Sequence, residues 1–110
     1  IYWDSGVVTG IEDGGLADGQ RWGLRSNIPN PFSTVTDIRF DLPRGGSYEL
    51  VIFDVAGRRV RAFQGVGSAG TNWVHWDGRD DAGRSVASGS FLYRLEAGSY
   101  SETRKMSLIR

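Results

Sequence analysis

From Val35 onward the chain alternates. Thr36, Ile38, Phe40 and Leu42 fall on one side of an extended backbone, and Val35, Asp37, Arg39 and Asp41 on the other. That period predicts a half-buried strand with its polar face outward. Pro43-Arg44-Gly45-Gly46 reads as a turn. Tyr48, Leu50 and Ile52 then interleave with Val51, Phe53 and Val55, apolar on both faces, as a central strand requires. Asp54-Val55-Ala56-Gly57 turns the chain, with Gly57 suited to a positive φ and the Asp54 carboxylate to capping nearby N–H groups. Arg59 to Phe63 is the return strand. Gly65, Gly67 and Gly70 mark a loop, and Thr71 to Trp76 a further strand, with Trp73 and His75 on one face and Val74 and Trp76 on the other. Asp77 to Gly89 is a long polar connection. Phe91, Tyr93 and Leu95 share one face of the next strand, Ala97-Gly98-Ser99 makes a hairpin turn, and Met106, Leu108 and Ile109 belong to the last strand.

Six or seven short strands with turns roughly every 8–12 residues, and no segment of helical period, predict an all-β fold, an antiparallel β-sandwich. Phe40, Leu50, Ile52, Trp73, Tyr93 and Leu95 are the expected core between its two sheets. At 110 residues the chain holds one such core.

Residues 1–24 differ from the rest. They contain six glycines and four acids against one base, a net charge of −3, which leaves twelve bases and nine acids, or +3, on residues 25–110. The segment reads as a glycine-rich acidic arm or linker preceding the sandwich at 25–110. Tyr2, Trp3, Val7 and Val8 are β-prone within it and are the candidate interaction residues. Ile1 and its successors lack the basic start and apolar stretch of a secretory signal, so the chain reads as a processed product or as a piece of something longer.

Composition removes most chemistry. The formal net charge is zero, so no bulk field draws in nucleic acid. There is no cysteine, which excludes disulfides, thiolate metal sites and a cysteine nucleophile, and a single histidine cannot build an imidazole cluster. No apolar run approaches the ~20 residues of a transmembrane helix. Sixteen glycines and four tryptophans fit tight turns between packed strands.

The remaining motifs read as structure. Gly65-Val66-Gly67-Ser68-Ala69-Gly70 matches the glycine spacing of a dinucleotide loop, but a strand follows where a helix N-terminus must receive the phosphates. Asp77, Asp80 and Asp81 are the metal candidates. The calcium-loop pattern fails on Arg79 and Ser88, and capping of turns with Arg79 or Arg84 as ion-pair partners is expected of these carboxylates, with no metal. His75 alternates with tryptophans in a strand, away from any nucleophile elbow. Arg58, Arg59 and Arg61 suit a solvated strand edge that discourages edge pairing. No catalytic residue and no cofactor are expected. A sugar-binding role would need an exposed Trp3 or Trp22, which their spacing does not favour.

Pro29-Asn30-Pro31-Phe32, followed by Thr36-Asp37-Ile38-Arg39-Phe40-Asp41-Leu42-Pro43, resembles the start of the C-terminal immunoglobulin-like modules of secreted bacterial proteins. These are similar to the Ig-like domain of the flagellar hook-capping protein and to the sorting domains of the type IX (Por) secretion system. Phe53 to Val60, Trp76 to Gly83, Ala87 to Leu95 and the basic Thr103-Arg104-Lys105-Met106 resemble, in order, their central hairpin, distinctive loop, following strand and last strand. The likeness covers about residues 24–110. Ser33-Thr34 stands where the second Asn-Pro of these modules falls, and Ile1 to Val8 has no counterpart.

The resemblance implies an immunoglobulin-like or fibronectin-like sandwich of about seven strands, exported to the bacterial surface, with no catalytic role. Its expected function is a sorting and attachment domain recognised through its last strands by an outer-membrane secretion machine. The alternative is a self-assembling extracellular filament, in which the arm adds a strand to the neighbouring copy.

Overall fold

The computed structural model describes residues 22–110 and contains seven strands: β1 (Gly23–Leu24), β2 (Thr36–Leu42), β3 (Gly46–Asp54), β4 (Arg59–Gly67), β5 (Gly70–Trp76), β6 (Gly89–Ala97) and β7 (Tyr100–Leu108). They form two sheets, of order β1-β2-β5 and β4-β3-β6-β7, with every paired neighbour antiparallel. Among the described residues there is no helix. Gly23 and Leu24, the last residues of the glycine-rich segment, are β1 itself: they pair with Asp41 and Phe40, and Leu24 is buried.

The core lies between the sheets. Ile38, Phe40 and Leu42 of β2 and Val74 and Trp76 of β5 meet Leu50 and Ile52 of β3, the β6 triad Phe91, Tyr93 and Leu95, and Met106 and Leu108 of β7. Phe32 and Phe91 hold the Trp76 indole from two sides, each ring centroid 5.5 Å away.

Three expectations change. Trp73 is not core. Its side of β5 faces outward and the residue is 56% exposed, while Trp76 is fully buried. Alternation placed a tryptophan on each face of this strand. Register decides between them, because Val74 and Trp76 pair with the buried Ile38 and Thr36 of β2.

Second, Gly65 and Gly67 are not loop residues but the end of β4, opposite Tyr48 and Gly46. A Cβ on Gly65 would stand 3.1 Å from the Tyr48 hydroxyl oxygen, and one on Gly67 only 2.8 Å from Leu42 Cδ1. These glycines permit close approach within the sheet. The turn proper is Ser68-Ala69, closed by Gly70 at φ +93°.

Third, Asp41 is buried, although it lies on the polar side of β2. Arg25 reaches it with Nε at 3.1 Å and Nη2 at 2.9 Å, and Arg39 Nη2 approaches to 3.3 Å.

Candidate functional site

The Asp77–Arg84 connection is built around its carboxylates. Asp77 Oδ1 accepts the Arg79 N–H at 3.1 Å. Asp80 Oδ1 accepts the N–H groups of Ala82 (3.0 Å) and Arg84 (2.9 Å), and its Oδ2 accepts Arg84 Nε at 3.2 Å. Asp81 Oδ1 accepts the Ala62 N–H, and its Oδ2 accepts Arg59 Nε, both at 3.1 Å. The Arg84 N–H bond does most to lower the Asp80 pKa, and the Ala62 N–H bond does the same for Asp81. The three carboxylates thus serve different partners. Among the described residues no group of three or more His, Cys, Asp or Glu side chains converges as metal ligands.

Asp80 to Arg84 repeats a device found at Asp54 to Arg58. In both, Oδ1 of the aspartate accepts the N–H groups two and four residues on, Oδ2 accepts the arginine Nε, and a glycine three residues on has positive φ. The backbone bonds correspond as well: Gly57 N–H to Asp54 C=O matches Gly83 N–H to Asp80 C=O. The shared text is Asp-x-Ala-Gly-Arg, at 54–58 and 80–84. That short repeat is the signal by which Arg58 could have been read as a capping partner alongside Arg84.

The connection also closes a sheet edge. β4 is the outermost strand of its sheet, and Asp81 donates its own N–H to the Val60 C=O at 2.9 Å while accepting from Ala62. One residue therefore pairs with two outward backbone groups of β4. Arg59 and Arg61 do not stand free at this edge: Arg59 bonds Asp81, and Arg61 Nη1 lies 3.5 Å from Asp77. Arg110 fixes the connection from the other side, with Nε to the Val86 C=O at 2.9 Å and Nη2 to the Gly78 C=O at 3.1 Å. Nothing in the sequence pattern announces that last contact, because Arg110 and the loop are far apart along the chain.

At the opposite edge, β7 is tied to β1 by side chains. The Leu24 N–H donates to Glu102 Oε1 at 3.2 Å and Arg104 Nε donates to the Leu24 C=O at 2.6 Å. Trp22 stacks on Tyr100, with ring centroids 5.1 Å apart and planes 6° from parallel. The Trp22 face considered for sugar is thereby occupied by a protein ring. Tyr100 donates to Glu102, and burial together with that carboxylate raises its pKa. His75 Nδ1 lies 2.6 Å from Asp37 Oδ1 on the outer face of the three-stranded sheet, beside exposed Trp73. Tyr2, Trp3, Val7 and Val8 lie outside the described residues.

Two facing antiparallel sheets, capped turns and a plugged edge define an immunoglobulin-like sandwich. Residues 26–101 match the model of the FlgD Ig-like domain, and the chain belongs to that family. Two solved proteins of Porphyromonas gingivalis contain a similar fold. Dimeric latent PorU is 20% identical, with a TM-score of 0.67, over 78% of this chain and 9% of that one. PorZ, described as an essential bacterial surface component of the type IX secretion system, is 24% identical, with a TM-score of 0.58, over 80% and 12%. The chain thus spans about a tenth of the length of either protein. No curated protein matches it.

Proposed function

We propose that the chain is a non-enzymatic module that sorts and attaches a bacterial protein at the cell surface, read by an outer-membrane secretion machine through β6 and β7. The observation carrying this reading is that the loop carboxylates are engaged by backbone N–H groups and arginines of the same domain, so its polar connections build the sandwich. Family membership supports it, and the fold shared with PorU and PorZ supports an extracellular or cell-surface location. The test is to fuse the chain to the C-terminus of a periplasmic reporter in a bacterium with an active type IX system. Surface exposure of the reporter is expected, and it is lost when that system is deleted. Retention of the fusion in the periplasm of the intact strain overturns the reading.

A second reading is favoured by the charge division, −3 on residues 1–24 against +3 on the remainder. In it the chain is a self-assembling filament subunit whose arm adds a strand to a neighbouring copy. Its root is held, since β1 pairs with β2 and Trp22 stacks on Tyr100. Light scattering of the intact chain tests it: a mass that grows with concentration is expected, and a constant monomer mass rejects it.

A further inference from the structure

We infer that the outer edge of β7, at Ser101, Thr103 and Lys105, is the acceptor for residues 1–8 of a second copy. The inference rests on the self-assembly reading and adds which edge receives the strand.

Backbone geometry leaves this edge open, as it does the outer edge of β5 at Thr71, Trp73 and His75, and Lys105 distinguishes β7 by its charge. Ser107 turns both of its polar groups away from β6: its C=O accepts the Phe32 N–H at 3.0 Å and its N–H donates to Asn30 Oδ1 at 3.1 Å. In an antiparallel pair such outward residues recur at every second position. Ser101, Thr103 and Lys105 therefore also aim N–H and C=O outward, while the intervening residues bond β6. All three are exposed, and among the described residues no hydrogen bond reaches their outward groups. The free stretch ends at Ser107, where Phe32 caps the strand. The other edge of the same sheet is blocked at Val60 and Ala62 by Asp81. An edge with three consecutive outward positions open fits an added strand, which supplies the missing main-chain bonds.

The arm matches that edge in pattern and charge. In an extended Ile1–Val8, Ile1, Trp3 and Val7 share one face, and Tyr2, Asp4 and Val8 the other. Asp4 suits the side on which β7 carries Lys105. A second copy is the better donor because each arm is rooted beside Tyr100, at the start of its own β7. Residues 22–32 run in the same direction as β7, so residues 1–8 of the same chain reach this edge only through a reversal within residues 9–21, which a neighbour's arm does not need. Donor and acceptor are different surfaces, so the contact is heterologous and repeats head to tail.

The test uses the full chain. Thr103→Pro removes an outward N–H that the β6 ladder does not use, the position at which an edge strand accepts proline. Trp3→Asp alters the donor outside residues 22–110, and Gln64→Pro is the matching control on the open end of β4. Light scattering should show a mass that rises with concentration in the wild type and in Gln64→Pro, and monomers in Thr103→Pro and Trp3→Asp, with unchanged circular dichroism. Amide exchange at Thr103 and Lys105 of the wild type should slow as concentration rises, a readout that stands if the proline variant misfolds. Assembly lost in Trp3→Asp but kept in folded Thr103→Pro, with no slowing at these amides, overturns the edge assignment and leaves the filament reading intact. A wild type that stays monomeric at every concentration overturns both.

Discussion

Asp81 holds the edge of β4 through Ala62: its carboxylate accepts the Ala62 N–H at 3.1 Å, while its own N–H bonds the Val60 C=O. A single loop residue thus imitates a short strand along the outermost strand of the sheet. Sheet edges need such covers, because unpaired backbone groups template association.

Asp81→Ala should remove the two carboxylate bonds, from the Ala62 N–H and from Arg59, while the backbone bond to Val60 stays. The expected loss is about 1–2 kcal/mol, since the partner N–H regains water. The same variant should associate more readily than the parent by light scattering at matched concentration. A destabilised variant that stays as monodisperse as the parent would mean Asp81 contributes stability alone.

The two tryptophans of β5 should behave oppositely. Trp76 is fully buried against Phe32 and Phe91, and its Nε1 donates to the Arg79 C=O at 2.8 Å. Trp76→Ala should cost about 3–5 kcal/mol. Trp73, 56% exposed, should cost less than about 1 kcal/mol when truncated. Urea denaturation of both variants measures the difference, and removal of Trp73 should abolish most acrylamide-quenchable fluorescence arising within β5.

This pair also marks how far the sequence was legible. Period-2 alternation located β2, β3, β5 and β6 with their inward faces wherever one face was polar, as in Thr36 to Leu42. It failed at Trp73 and Trp76, where both faces carry an aromatic and only pairing with β2 separates them. It failed at Gly65 and Gly67 because glycine signals both a turn and a close approach, and the Tyr48 and Leu42 side chains that demand the approach come from elsewhere in the chain. The turn aspartates were legible because their partners lie two and four residues away. The Asp81–Ala62 and Arg110–Gly78 contacts were not, being set by the closed fold.

Asp41 makes stability fall in acid. Burial would raise its pKa, but hydrogen bonds from Arg25 and Thr71, with the charge and bonds of Arg39, outweigh burial and hold it below the ordinary value. Its contribution is therefore complete above the unfolded pKa of roughly 3.9 and lost as pH falls through the lower folded value. Asp41→Asn should be less stable than the parent at neutral pH, and the gap should close below about pH 4. Thermal melts of both proteins across that range check the convergence.

Calcium should leave the melting temperature unchanged. Asp80 and Asp81 already accept five hydrogen bonds from backbone and arginine groups, bonds a cation would have to displace. Melts with millimolar calcium and with chelator should coincide. A calcium-dependent rise that disappears in Asp80→Asn would assign the ion to this loop.

Tyr93 ties the β1–β2 connection to the opposite sheet through its hydroxyl. The ring is fully buried, and the oxygen donates to the Arg25 C=O at 2.8 Å while accepting the Asn27 N–H at 3.0 Å. That oxygen fastens the chain between β1 and β2 to the core of the opposite sheet. Tyr93→Phe keeps the ring and its packing but leaves the N–H of buried Asn27 without an acceptor, which should cost about 1–3 kcal/mol. Burial also raises the Tyr93 pKa. A raised folded pKa contributes stability that is complete below the unfolded value of roughly 10 and is lost as pH rises through the folded one. The stabilities of parent and Tyr93→Phe should therefore approach each other as pH climbs above about 10. Urea midpoints should shift at neutral pH with unchanged slope, and the shift should shrink in alkali. A gap that stays constant into alkali would mean the hydroxyl titrates alike in the folded and unfolded chains.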